Sequence, residues 1–234
     1  PKRGDSLDKV IYMLIGPLRH RFTALERAQE QGIGHYFVPR YTRVVDTADS
    51  KDDINKAYSL ISTSKVRNEM IISDVKKSIE LNQTPVILTR FKEHAKLLYD
   101  ALKNEADHVF LLYGDNSDKE NAEIRVKLKQ VPKNESLILV ATGQKIGEGF
   151  DFPRLDVLML AAPVSFEGRL EQYVGRLNRD YEGKEAVYVY DYIDAHVRFF
   201  NKMYGKRLKT YKRTGFSIWT GDEHTKQIIN AIYD

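Results

Sequence analysis

At 234 residues, 42% hydrophobic and 30% charged, the chain reads as a soluble globular protein rather than a disordered one, long enough for one core of about 130 to 150 residues plus attachments. It contains no cysteine, which removes disulfides and thiolate metal sites and fits a cytoplasmic setting. No apolar run approaches the roughly 20 residues of a membrane span, no leader is present, and the six histidines show no metal-ligand spacing.

In chain order, the first strand candidate is Val10 to Ile15, broken by Gly16-Pro17 and followed by a small basic cluster, Arg19, His20 and Arg21. A second spans Tyr36 to Val45. The polar stretch Asp46 to Asp53 lacks periodicity and reads as a loop. Residues 1–64 are therefore expected to form a strand-bearing connector. The core is expected over 65–194. It opens with a helix from about Lys65 to Leu81, whose buried side is read as Val66, Met70, Val75 and Ile79. Strand-like apolar runs follow at Val86 to Thr89, Val109 to Tyr113, Leu137 to Ala141, Val157 to Ala161 and Ala186 to Tyr190. Between them lie helical patterns, clearest over Phe91 to Lys103 and over Ser117 to Gln130. The latter opens with a Ser117-x-x-Glu120 capping box, in which side chains satisfy free backbone amides. Strands alternating with helices at this spacing imply right-handed crossovers, and continuous apolar runs imply a parallel sheet covered on both faces.

Residues 195–234 read as a basic helical tail. From Ala195 to Gly221 there is no Asp or Glu, while Arg198, Lys202, Lys206, Arg207, Lys209, Lys212 and Arg213 are all cationic, against a net charge of +4 for the whole chain. Lys202, Lys206 and Lys209 are candidates for a phosphate-backbone contact. The alternative is a helix docked through Val197, Phe200, Tyr204, Leu208 and Tyr211 with its lysines simply in water.

Two segments carry chemistry. Leu137 to Ala141 delivers Thr142 and Gly143 to a turn, and Gly147 and Gly149 then precede Asp151. Small residues there let backbone amides approach a ligand. Downstream, QYVGRLNR over 172–179 places Gln172, Arg176 and Arg179 at i, i+4 and i+7, with Leu170, Tyr173, Val174 and Leu177 on the opposite side. Guanidinium forks on one face suit a polyphosphate. A solvated helix face is the plainer alternative.

A T-G-x-x-x-G-x-G-x-D loop followed about twenty residues later by Q-x-x-G-R-x-x-R resembles motifs V and VI of superfamily-2 helicases and translocases. Thr84 to Arg90 with its following helix is similar to motif IV, and Pro1-Lys2-Arg3 with Asp5 is similar to the end of motif III. The chain is accordingly expected to begin at a lobe boundary, its natural start lying upstream. GPLRHR (16–21), VGRLNRDYEGK (174–184) and MYGKRLKTYK (203–212) are most similar to DEAD/DEAH-like bacterial helicases of restriction and defence systems.

The resemblance implies an α/β, RecA-like fold of the P-loop NTPase type, a mostly parallel sheet flanked by helices, serving as a helicase C-terminal motor lobe. It implies that Arg176 and Arg179 are arginine fingers accompanied by Gln172. Gly147, Gly149 and Asp151 would approach the nucleotide, while Thr89, Thr142 and Gly143 would meet the nucleic-acid backbone. The cofactor implied is ATP with Mg2+, bound mainly by a first lobe. The partners implied are nucleic acid, double-stranded DNA above all, that N-terminal motor lobe, and nuclease or other defence domains; no membrane is implied. No G-x-x-x-x-G-K-[ST] loop or D-E-x-x acid box occurs here, and Gly183-Lys184 follows no such loop. The segment alone is expected to be inactive. Two alternatives stay open: a non-catalytic nucleic-acid or protein-binding module, and a small-molecule α/β enzyme. The enzyme would need a nucleophile near Gly143, and Asp194 and His196 read as helix-start residues rather than a dyad.

Overall fold

The computed structural model describes residues 32–147, 150–164, 167–179 and 181–219. The strand candidate Val10 to Ile15, the basic cluster at residues 19–21, the motif III likeness and Gly149 lie outside them.

The elements are β1 (Gly34–Tyr41), α1 (Ile54–Thr63), α2 (Lys65–Glu80), β2 (Pro85–Thr89), α3 (Lys92–Leu102), β3 (His108–Leu112), α4 (Asp118–Gln130), β4 (Leu137–Thr142), α5 (Gly143–Gly147), β5 (Val157–Leu160), α6 (Glu167–Leu177), β6 (Ala186–Ile193), α7 (Arg198–Arg213) and β7 (Ser217–Ile218). The strands form one sheet in the order β3-β4-β2-β5-β6-β1-β7, and every pairing is parallel.

The continuous apolar runs are explained by burial on both faces. Successive residues alternate between two clusters. Val86, Leu88, Leu139, Ala141, Leu158, Leu160, Val187 and Val189 share one with residues of α4, α6 and α7. Ile87, Ile138, Val140, Val157 and Met159 share the other with Ile71, Val75, Ala95 and Leu98 of α2 and α3. Helices thus cover both sides of the sheet. The Ser117 capping box is present, with Ser117 Oγ accepting from the Glu120 amide and the Glu120 carboxylate accepting from the Ser117 amide.

β1 lies within the same sheet as the strands of 65–194, paired with β6 from Gly34↔Ala186 to Tyr41↔Ile193. Its inward residues His35, Phe37 and Val38 are buried, so the strand continues the central core. It stops at Tyr41; Val45 makes only an isolated bridge to His196. α1, which follows the loop, is not anticipated by the sequence reading. Its signal is nevertheless there: Asp53 accepts from the amides of Asn55 and Lys56 as N-cap, and Ile54, Ala57, Tyr58 and Ile61 recur at helical spacing. These residues pack in a third cluster with Val197 and Phe200.

The buried side of α2 differs from the sequence reading. Val66 is 65% exposed, and the inward face carries Arg67, Asn68, Ile71, Asp74, Val75 and Ser78. Arg67 Nε donates to Asp194 Oδ1 at 2.9 Å and its Nη1 to the Ala161 carbonyl at 2.8 Å, while Asp74 accepts from Arg40 Nε at 2.8 Å. Charged residues with partners occupy the face that apolar periodicity assigns to valine. Asp194, correspondingly, does not start a helix: it is a buried anion that also accepts from Thr42 Oγ1 at 2.6 Å, and Val197 is the N-cap of α7. Among the described residues no helix is long and apolar enough to cross a membrane.

Candidate functional site around the arginine helix

α6 forms because its apolar residues fall on one stripe. Leu170, Tyr173, Val174 and Leu177 are buried against the sheet. The opposite side holds exposed Gln172 and half-buried Arg176. The helix ends at Leu177, so Arg179 lies one bend beyond it rather than on a continuous helical face. Asn178 explains the ending. It is buried, and its Oδ1 lies 2.6 Å from His35 Nε2, tying the chain to β1 as it leaves the helix.

Beyond that bend Arg179 Nε lies 3.5 Å from Asp151 Oδ1, with both side chains about half exposed, 49% and 55%. The glycine-bearing loop and the arginine segment therefore meet in space. They meet a second time through Tyr173, whose hydroxyl donates to the Gly143 carbonyl at 3.1 Å. Gly147 closes the short helix α5. Of the proposed backbone-contact residues, Thr89 is 2% exposed and its hydroxyl donates to the carbonyls of Phe91 and Ala141 at 3.3 and 3.4 Å. Thr142 is 9% exposed at the end of β4.

On α7, Val197, Phe200, Tyr204 and Tyr211 are buried, with Leu208 partly so. The aromatic stripe is a packing element. Lys202, Lys206 and Lys209 remain exposed on the other side. Arg207 is not one of the outward charges: it forks onto Asp191 through Nε and Nη2 at 2.6 and 2.9 Å, with both side chains almost fully buried. Its Nη1 donates to the Val164 carbonyl at 3.1 Å, and Tyr58 donates to the Pro163 carbonyl at 2.6 Å. The chain leading into α6 is therefore held from both α1 and α7.

Lys184 is a residue the sequence reading sets aside. Its ammonium donates to the carbonyls of Leu177 and Arg179 at 2.8 and 3.2 Å, to Leu155 at 2.8 Å, and to Pro153. The signal that could have found it is a lysine placed by a glycine turn shortly after a helix end, where cations complement orphan carbonyls. Nearby, Asp156 accepts from the Thr84 amide at 2.7 Å; burial pushes its carboxyl up to about 6, against the opposing pull of that hydrogen bond and of Lys184. Among the described residues no group of three or more His, Cys, Asp or Glu side chains is arranged to hold a metal.

No known family profile matches the chain. It is 30% identical over 175 residues to "Putative helicase 161L" of Invertebrate iridescent virus 6, covering 71% of this chain and 38% of that protein. It is 24% identical over 168 residues to "Transcript termination protein A18" of Myxoma virus (strain Lausanne), covering 68% and 34%. The chain thus spans little more than a third of either relative. Among solved structures it is similar to T4 UvsW, with a TM-score of 0.64 and 20% identity over 80% of this chain and 41% of that one. The type ISP restriction-modification enzyme LlaBIII bound to DNA gives a TM-score of 0.57 at 16% identity, covering 88% and 16%. S. cerevisiae Dbp5 bound to RNA and ADP BeF3 gives 0.53 at 15% identity, covering 100% and 54%. With its all-parallel sheet flanked by helices and these likenesses, the chain has the fold of the RecA-like C-terminal lobe of superfamily-2 helicases and translocases.

Proposed function

We propose that this chain is the C-terminal motor lobe of an ATP-dependent nucleic-acid helicase or translocase, working against a first lobe that supplies the phosphate-binding lysine and the Mg2+ acids. The observation that carries this reading is the meeting of Arg179 with Asp151. An ion pair between half-exposed side chains contributes only about 0 to 1 kcal/mol, so the guanidinium is easily exchanged onto phosphate oxygens. When the lobes close, Arg176 and Arg179 offer delocalised positive charge to the γ-phosphoryl group as negative charge redistributes in the transition state. Such fingers contribute about 10^3- to 10^5-fold in rate. Gln172 is a polar companion on the same side. Gly147, Gly149 and Asp151 are the proposed contacts to the nucleotide, coupling it to the track.

The track is proposed to be double-stranded DNA, in line with the DNA-bound restriction-modification neighbour. Its backbone would be met by Thr142, by the amides around Gly143 and by the lysine side of α7, contacts that position without reading sequence. Thr89 acts in this reading through the backbone it holds, since its hydroxyl is turned to two carbonyls.

Phosphate release measured with ATP and duplex DNA tests the division of labour. This chain alone should give none above the blank, and the two-lobed protein should turn over. Turnover by the chain alone that survived Arg176→Ala and Arg179→Ala would overturn the half-site reading.

A further inference from the structure

The turn after the arginine segment is built to place one ammonium. Gly183 has φ +85, a left-handed conformation that glycine adopts without strain, and the Lys184 amide closes the turn on the Tyr181 carbonyl at 3.0 Å. The Lys184 side chain is thereby turned inward, under the end of α6. Four carbonyl oxygens share its three N–H groups, and they belong to two segments. Leu177 and Arg179 end the arginine helix; Pro153 and Leu155 end the glycine-bearing loop that carries Asp151. Carbonyls at a helix C-terminus point outward with partial negative charge and no intrahelical donor, so a cation there is favoured. A single ammonium consequently fixes the Arg179 backbone against the loop that also carries Asp151. No other described contact joins both segments through one atom.

We infer that Lys184 is a positioning residue for Arg179: it sets where the guanidinium stands without itself meeting the nucleotide. The inference rests on the finger reading of Arg179 given above. Its physical basis is that misplacement of a charged group by about 1 Å costs on the order of 10^2-fold in rate, and here the Lys184 side chain binds the carbonyl of that group directly. The deeper carbonyls of Leu155 and Leu177 belong to buried residues, so a methionine in place of the lysine fills the space and leaves them without its donors.

The test is a double-mutant cycle in the two-lobed protein, with Lys184→Met and Arg179→Ala made singly and together, and turnover normalised to folded protein. Lys184→Met should lower the kcat for ATP by about 10- to 100-fold while KM for ATP stays within about threefold, the pattern of a group that acts in the transition state. In the Arg179→Ala background it should lower kcat by less than about twofold, because its effect passes through the arginine. The same fold loss in both backgrounds would overturn the inference, as would normal turnover of Lys184→Met beside a defective Arg179→Ala. Normal turnover of Arg179→Ala would instead bring down the finger reading and this inference with it. Gly183→Ala provides a second variant: it displaces Lys184 while keeping the ammonium, and should give a smaller kcat loss that again disappears in the Arg179→Ala background. Amide hydrogen exchange adds a readout independent of turnover. Residues 177–179 should exchange at least about tenfold faster in Lys184→Met with α2 unchanged, and unaltered exchange at 177–179 would refute the lock.

Discussion

The Tyr173 hydroxyl donates to the main-chain carbonyl of Gly143 at 3.1 Å, so the packing side of the arginine helix grips the turn that follows β4. The grip leaves no room for a side chain. A Cβ on Gly143 would stand 2.5 Å from that hydroxyl and 3.5 Å from the ring carbon that bears it. Because Tyr173 is 5% exposed, moving its hydroxyl aside disturbs the packing around the ring.

Gly143→Ala should therefore destabilise the chain by about 1 to 3 kcal/mol through overpacking. In a Tyr173→Phe background the same substitution should cost less than about 1 kcal/mol, since the contacts that remain, 3.5 Å to the ring carbon and 3.9 Å to the Thr89 carbonyl, are ordinary van der Waals distances. Urea denaturation of the four proteins measures the coupling. Additive effects would show that the hydroxyl is not what excludes a side chain at Gly143.

Two buried groups should pull the pH dependence of stability in opposite directions, beside the Asp74 carboxyl that burial also raises. Burial holds Asp156 at about 6, so between about pH 4 and 6 the folded chain keeps a proton that the unfolded chain has lost. Its contribution is full below about pH 4 and is lost as pH rises through 6. Burial, reinforced by Arg67, holds His94 down at about 3, so below about 6.5 the unfolded chain gains a proton that the folded chain refuses. Its contribution is lost as pH falls from 6.5 towards 3. The two partly cancel. Asp156→Asn should steepen the loss of stability on acidification, by about 3 kcal/mol across its window at most. His94→Gln should leave a chain whose stability falls as pH rises from 4 to 6. Equal slopes in wild type and both variants, in denaturation at pH 4, 5, 6 and 7, would contradict the assignment.

The outward lysines of α7 should matter for nucleic acid and not for folding. Reversing Lys202, Lys206 and Lys209 to Glu should weaken binding to duplex DNA of any sequence and flatten its salt dependence, because each lost phosphate contact removes about 0.9 from the slope of log affinity against log salt. The melting temperature should move by no more than a few degrees, as these side chains are exposed. Unchanged affinity and slope, read by fluorescence anisotropy, would leave α7 as a packing element alone.

Much of this architecture is legible in the sequence where apolar residues carry the signal. The central strands β2, β4 and β5 show as continuous apolar runs, whereas β7, only two residues long, does not show at all; Leu170, Tyr173, Val174 and Leu177 mark the inward side of α6 correctly. The reading fails where charge is buried. Val66 is taken for core and Arg67 passed over, because periodicity counts apolar residues, whereas here the Arg67–Asp194 pair makes the contact. Arg207 is likewise hidden in a run of outward cations, since its partner Asp191 comes from another element, β6. α1 escapes because serine, threonine and asparagine dilute a pattern of only 10 residues. At the site, the order and spacing of the two motifs are legible, but the meeting of Arg179 with Asp151 appears only in the structure. The bend that takes Arg179 off the helix is not readable, because it depends on Asn178 meeting His35, 143 positions away.

The central claim is that Arg176 and Arg179 act on the transition state of ATP hydrolysis. The most direct test is steady-state ATP turnover of the two-lobed protein at saturating duplex DNA, for Arg176→Ala, Arg179→Ala and Arg179→Lys beside wild type, with nucleotide affinity measured separately. Each alanine variant should lose about 10^3-fold or more in kcat while binding ATP within a few fold of wild type, and lysine should restore little because an ammonium lacks the fork. Near-normal kcat in both alanine variants would contradict the account.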